Sequence, residues 1–229
     1  MKAYLLNLPE HSERLEHFKS VYPSCLPAFE RLEMLTVEEV TPPDWWCSPG
    51  RFWCHAVNFM NALELCTKQS EECIIFEDDC IFRPDFNEKY TAFMAEVPSD
   101  WECIYLGAGH LQQALYPARQ VSENVIRPRF THATHAVLVK PETAARFLKH
   151  LKKEPWGTRH STDLWLGTLF INPDVFKYYA PLVSLCGQGA FPSSLSLKDC
   201  QDRWFMNYRY LDLNGRIQRA TDPYIEGDS

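Results

Sequence analysis

The 229-residue chain reads as an α/β protein with a mostly parallel central sheet flanked by helices and a β-hairpin near its C-terminus. Three observations predict this. Short β-branched apolar runs alternate with stretches of helical period along most of the length. One such run, Cys73-Ile74-Ile75-Phe76, ends abruptly in three carboxylates, Glu77-Asp78-Asp79. Asn214-Gly215 separates two alternating segments in 208–219, the strongest short hairpin signal. The length suits one domain over 1–229, with a core of residues 1–200 and a C-terminal extension that carries the hairpin.

Composition narrows the function classes. With 45% hydrophobic residues, 14% aromatics and seven Trp, the core is ample. A net charge of −7 argues against nucleic-acid or anionic-membrane binding, so an anionic substrate would need a metal or placed arginines. Nine cysteines without a Cys-x-x-Cys pair, several inside apolar runs, read first as buried free thiols in a reducing compartment, with a zinc site or disulfide framework as the weaker alternative. The apolar start, Ala3 to Leu6, is too short for a signal peptide and no run reaches transmembrane length, so a cytoplasmic protein is expected.

In order, Lys2 to Leu8 is a first strand closed by Pro9, and Ser12 can cap a helix that carries Leu15, Phe18 and Tyr22 and stops at Pro23. Asn7 and Arg14 stand at the mouth of this unit. Cys25 to Thr41 holds a second strand-like piece, and residues 42–50 form a Pro- and Gly-marked loop whose Trp45 and Trp46 are expected to pack beneath it, with a pocket wall as the alternative. Ala56, Phe59, Met60 and Leu63 keep helical period through Thr67. After the triplet, Asp85 can cap a helix through Met94, and Glu102 to Gly107 is a strand whose glycine permits close backbone approach to a ligand. Ala108 to Phe130 is a long polar excursion, Thr134 to Val139 a strand, and Pro141 opens a helix. Ser161 can cap a further helix with Asp163 in its first turn, Tyr178 to Leu185 is another strand, and Gly187 to Ala190 begins a loop.

Acids at the carboxyl edge of a buried strand face the cleft where α/β proteins place ligands. Three adjacent carboxylates repel one another unless a cation neutralises them, and hard oxygen ligands suit Mg²⁺ or Mn²⁺ with substrate phosphates filling the open positions. Strand alternation puts Glu77 and Asp79 on one side and Asp78 on the other. A solvated acidic turn is the alternative for the triplet, and service to the helix dipole is the alternative for Asp163.

The run Leu5-Leu6-Asn7-Leu8 followed by Glu13-Arg14, the helix Gly50 to Ala62, Ile74 to Asp79, Asp100-Trp101-Glu102-Cys103-Ile104-Tyr105-Leu106-Gly107, and Thr162-Asp163-Leu164 occur in this order. In that order they resemble glycosyltransferase family 25, the lipopolysaccharide-biosynthesis glycosyltransferases that also include the procollagen galactosyltransferases. The resemblance implies a GT-A-like fold and a metal-dependent, inverting transfer of a hexose, galactose above all, from a UDP-sugar to a glycan or other hydroxyl acceptor. It also implies nucleotide contacts from Asn7, Leu8, Arg14, Asn58 and Asp78, a metal held by Glu77 and Asp79, and Asp163 as catalytic base or acceptor contact, with His132 and His135 as second candidates. Val57-Asn58 stand where that family has Ser-His, which motivates an inactive nucleotide-sugar-binding module as the alternative. A metal-dependent phosphoesterase, with His135, His160 and Asp163 as further ligands, is the third reading.

Overall fold

The structure, a computed structural model, describes residues 1–107, 109–110, 115, 117–156, 161–170, 175–191 and 208–220. The chain begins with β1 (Lys2–Asn7), α1 (Ser12–Val21), β2 (Phe29–Glu33), a 3₁₀ turn at Val37–Glu39, α2 (Gly50–Thr67), β3 (Cys73–Glu77), β4 (Cys80–Phe82) and α3 (Phe86–Glu96). It continues through β5 (Cys103–Tyr105), β6 (Gly109–His110), β7 (Ala118–Gln120), β8 (Val125–Arg127), β9 (Thr131–His132), β10 (Ala136–Val139) and α4 (Pro141–Leu151). α5 (Thr162–Gly167), β11 (Tyr178–Pro181), β12 (Cys186–Gln188), β13 (Arg209–Leu211) and β14 (Ile217–Arg219) follow.

Ten strands form one sheet in the order β14-β13-β7-β8-β11-β5-β10-β3-β1-β2. β2, β1 and β3 run parallel, but β10 lies antiparallel between β3 and β5, and β8 lies antiparallel between β7 and β11. The sheet is therefore mixed, with β10, β8 and β14 running against the other seven strands. A parallel neighbour needs a crossover, usually a helix, as α1 and α2 provide around β1 to β3. β5 reaches β10 through the short strands β6 to β9 instead, and returns in the opposite direction. An apolar run reads the same whichever way it points, so direction was not legible from the runs themselves.

Alternation along the central strands divides the core in two. Tyr4, Leu6, Cys73, Ile75, Cys103, Tyr105, Val137 and Val139 pack on one face with α2, α4 and α5. Ala3, Leu5, Ile74, Phe76, Ile104, Leu106, Ala136 and Leu138 pack on the other with α1 and α3. Trp45 and Trp46 join Trp53 and Trp156 in a cluster with ring centroids 5.2 to 6.3 Å apart, pinning the Pro-rich loop to α2.

The excursion expected over Ala108 to Phe130 contains β6 to β8, and β7 and β8 extend the main sheet. Strands of two or three residues carry too few positions to show a period. Ser12 is the first residue of α1 rather than its cap, and the cap position, His11, makes no side-chain capping bond. Gly107 approaches protein rather than ligand: a Cβ there would sit 1.9 Å from the Cys186 carbonyl oxygen and 2.8 Å from His135 Nε2. β13 and β14 pair antiparallel about Gly215, whose φ is +75°. Of the described cysteines, Cys54, Cys66, Cys73, Cys80, Cys103 and Cys186 are buried free thiols. No helix among the described residues is long and apolar enough to cross a membrane.

Candidate active site

The parallel trio β2-β1-β3 ends at one edge. Leu6 is in register with Glu77, and Asn7 with Glu33, so the segments that leave all three strands emerge side by side. They enclose a cavity of about 550 Å³. Leu6, Leu8, Glu10 and His11 line it from the first strand and its loop, Arg14 from α1, and Met34, Thr36, Val37 and Glu38 from the segment after β2. Arg51, Cys54 and His55 face it from the first turns of α2, and Glu77, Asp78, Asp79 and Gln188 complete it. All three carboxylates of the triplet therefore line one space. β3 ends at Glu77 and the next two residues form a turn, so the strand alternation expected to turn Asp78 aside does not operate.

The three acids have different surroundings. Asp78 Oδ2 accepts from Asn7 Nδ2 at 2.8 Å, Oδ1 accepts from Arg14 Nη1 at 2.9 Å, and His11 Nδ1 lies 3.7 Å away. Glu77 Oε1 accepts from Thr134 Oγ1 at 2.5 Å and faces His55 Nε2 at 3.2 Å. Burial pushes the Glu77 carboxyl up, while His55 and the two hydrogen bonds outweigh burial and hold it below its ordinary value. Asp79 Oδ2 accepts from Gln188 Nε2 at 3.3 Å, and its buried Oδ1 has no hydrogen-bond partner among the described residues. Burial, then the neighbouring Glu77 and Asp78, push Asp79 up to about 8 in spite of Arg14. The β4–β12 pairing, which sets Gln188 opposite Cys80, brings that amide to Asp79.

His55 was not singled out by the sequence reading, and neither were Thr134 and Thr162. On α2, Arg51, Cys54, His55 and Asn58 follow the i, i+3, i+4, i+7 spacing of one face, a polar stripe on an otherwise apolar helix that could have flagged His55. Burial opposes the His55 imidazolium, but the Glu77 carboxylate, with smaller pulls from Asp163 and Asp79, raises it above its ordinary value.

Of the residues expected to contact a nucleotide, Leu8, Arg14 and Asp78 line the cavity. Asn7 is fully buried and anchors Asp78 and the His11 carbonyl, at 2.8 and 3.0 Å. Asn58 does not line the cavity. Its side chain accepts from the Leu35 N–H at 2.8 Å and donates to the Leu35 and Cys54 carbonyls, each at 3.0 Å. It ties α2 to the segment after β2, so the residue standing for the expected His does not face the site. Asp163 also lies outside the lining: Oδ2 accepts from the Ala133 N–H at 3.0 Å and Oδ1 from the Leu164 N–H at 2.8 Å, with His132 Nδ1 at 3.9 Å. His135 is fully buried, and that burial, partly opposed by Glu77, pushes it down to about 4. His160 lies outside the described residues.

Among the described residues no three His, Cys, Asp or Glu side chains form a ready metal cage. Mg²⁺ and Mn²⁺ sites that share a nucleotide do not need one, since one or two carboxylates plus phosphate and water oxygens fill the shell. Glu77 and Asp79 fit that requirement, because an uncompensated buried carboxylate oxygen on Asp79 is what a cation would neutralise.

No family model matches the chain, and no curated protein matches it. Among solved structures it is similar to one titled as a glycosyltransferase involved in the glycosylation of the major capsid of PBCV-1, at 12% identity over 79% of this chain and 81% of that one, with a TM-score of 0.47. It is also similar to A197 from STIV, at 10% identity over 97% and 95% of the two chains, with a TM-score of 0.41. Identities and scores this low carry no activity to this chain.

Proposed function

We propose that this chain is a glycosyltransferase that moves a hexose, galactose in the first instance, from a UDP-sugar to a hydroxyl of a glycan or another acceptor, with inversion and with Mn²⁺ or Mg²⁺. The observation that carries the reading is the uncompensated Asp79 beside Glu77 in a cavity at the carboxyl ends of parallel strands. Leu6, Leu8, Met34 and Val37 give that cavity an apolar wall suited to the flat face of a nucleobase. Glu77 and Asp79 would hold the cation at the other side, with Asn7 and Arg14 keeping Asp78 in place between them. A bound divalent ion would supply positive charge against the departing diphosphate. Asp163 enters this reading as the holder of Ala133 and Thr134. To act as a base its Oδ2 would have to leave the Ala133 N–H.

Thermal unfolding of the protein with UDP-, GDP- and CMP-sugars, each with Mn²⁺ and with EDTA, tests the reading. A ligand at a hundred times its Kd stabilises by about 2.7 kcal/mol, so the UDP-sugars with Mn²⁺ should raise the midpoint by several degrees and the others should not. A shift from GDP- or CMP-sugars alone would refute the donor. Release of UDP on adding acceptor separates a transferase from a binding module, and phosphate release from simple esters would favour a phosphoesterase.

A further inference from the structure

A ring of contacts surrounds Glu77 and takes in residues that the proposed reaction has not used. Glu77 Oε1 receives Thr134 Oγ1 at 2.5 Å and meets His55 Nε2 at 3.2 Å. His55 Nδ1 lies 3.1 Å from Thr162 Oγ1. The next residue, Asp163, accepts the N–H of Ala133 at 3.0 Å, and Ala133, in the left-handed region at φ 69°, leads directly into Thr134. The circuit thus joins α2, the start of α5 and the approach to β10 through one imidazole. A non-glycine residue at positive φ is a strained position that persists where its surroundings fix it, and the Asp163 bond supplies such a hold.

The partners dictate the imidazole's roles. A carboxylate can only accept, so His55 Nε2 carries the hydrogen it gives to Glu77. In the neutral ring, Nδ1 is then an acceptor, and the Thr162 hydroxyl can donate to it, leaving both nitrogens satisfied. Both bonds to Glu77 fall on Oε1, which leaves Oε2 for a ligand in the cavity that Glu77 lines.

We infer that His55 is a positioning residue of this site: its Nε2–H fixes the Glu77 carboxylate for cation and diphosphate binding, and its Nδ1 ties that carboxylate to α5. The inference rests on the proposed reading of the cavity as a cation and nucleotide site. It assigns His55 no contact with substrate. Its competitor is a histidine that merely packs, stacked on Phe59 with ring centroids 6.3 Å apart.

Two amide substitutions separate these roles, because a Gln amide nitrogen reaches the place of Nε2 and an Asn amide nitrogen the place of Nδ1. UDP is titrated with Mn²⁺ into the wild type, His55→Gln, His55→Asn and His55→Ala, and each variant's unfolding midpoint is recorded. Loss of a group that orients a metal ligand costs about 10–100-fold in affinity, so His55→Asn and His55→Ala should weaken Mn²⁺-dependent UDP binding by at least about tenfold. His55→Gln should restore it to within about threefold of the wild type. Nitrogen-15 spectra of the wild type, recorded at a pH above the His55 titration, should show the Nε2–H tautomer, which needs no variant to fold. Equal binding in all variants, an equal loss in Gln and Asn, or the Nδ1–H tautomer would overturn the inference while leaving the cavity reading intact. A wild type that binds UDP no better with Mn²⁺ than with EDTA would overturn both.

Discussion

At the Asp78 corner of the cavity the negative charge is met twice, by Arg14 at 2.9 Å and Asn7 at 2.8 Å, whereas at the Asp79 corner one oxygen has Gln188 at 3.3 Å and the other has no described partner. The two residues are adjacent, of one type, and line the same space. Compensated burial at the first corner ties β1, α1 and the end of β3 together. Uncompensated burial at the second works against folding, since it disfavours the ionised carboxylate that the unfolded chain keeps in water. On the proposed reading, the position where the local rule is broken is the one a ligand completes.

This contrast can be tested by stability before any substrate is known. The largest effect is expected from Arg14→Ala, which takes the guanidinium from the buried Asp78 carboxylate and leaves it the Asn7 amide. Removal of one partner from a buried pair costs about 3–5 kcal/mol, read from urea unfolding. Asp79→Asn, measured the same way in EDTA, should cost nothing or stabilise. Comparable losses in the two variants would erase the distinction between the corners. Asp163 comes next. Loss of the bond to the Ala133 N–H in Asp163→Ala should cost about 1–2 kcal/mol. Asp163→Asn should lower transfer by less than about tenfold if the residue positions the site, whereas removal of a general base costs about 10²–10⁴-fold. The smallest effect belongs to the C-terminal hairpin. Gly215→Ala, at φ +75°, should lose about 1 kcal/mol through backbone strain with UDP affinity unchanged, because no residue of the hairpin lines the cavity.

How legible each region was in the sequence follows the same divide. β1, β3 and α2 announce themselves because buried strands form continuous apolar runs and α2 keeps a helical period for 18 residues. The triplet was legible as a cavity-facing edge for the same reason: a strand that ends in acids can hardly end in the core. β7 and β8 were not, since three-residue strands have no period, and the antiparallel insertion of β10 was not, since direction is set by connections. Within the site, Asp78 and Asp79 could not be told apart from sequence. The difference lies in Arg14, which is 64 positions from Asp78, and in Gln188, which is 109 positions from Asp79. Asn58 misled because a family-like position on a helix does not fix which neighbour the side chain meets; here the Leu35 backbone takes it, and His55, one turn earlier, faces the carboxylates instead.

The most direct test of the central claim is calorimetric titration of UDP into the wild type and Asp79→Ala, each with Mn²⁺ and with EDTA. A diphosphate brought to Glu77 and Asp79 without a cation meets like charge, and with one it meets an ion that bridges it to the protein. Binding should be strong in the wild type with Mn²⁺ and should fall by at least about tenfold in the other three titrations. Equal affinity in all four would contradict the account and leave the triplet as an acidic turn.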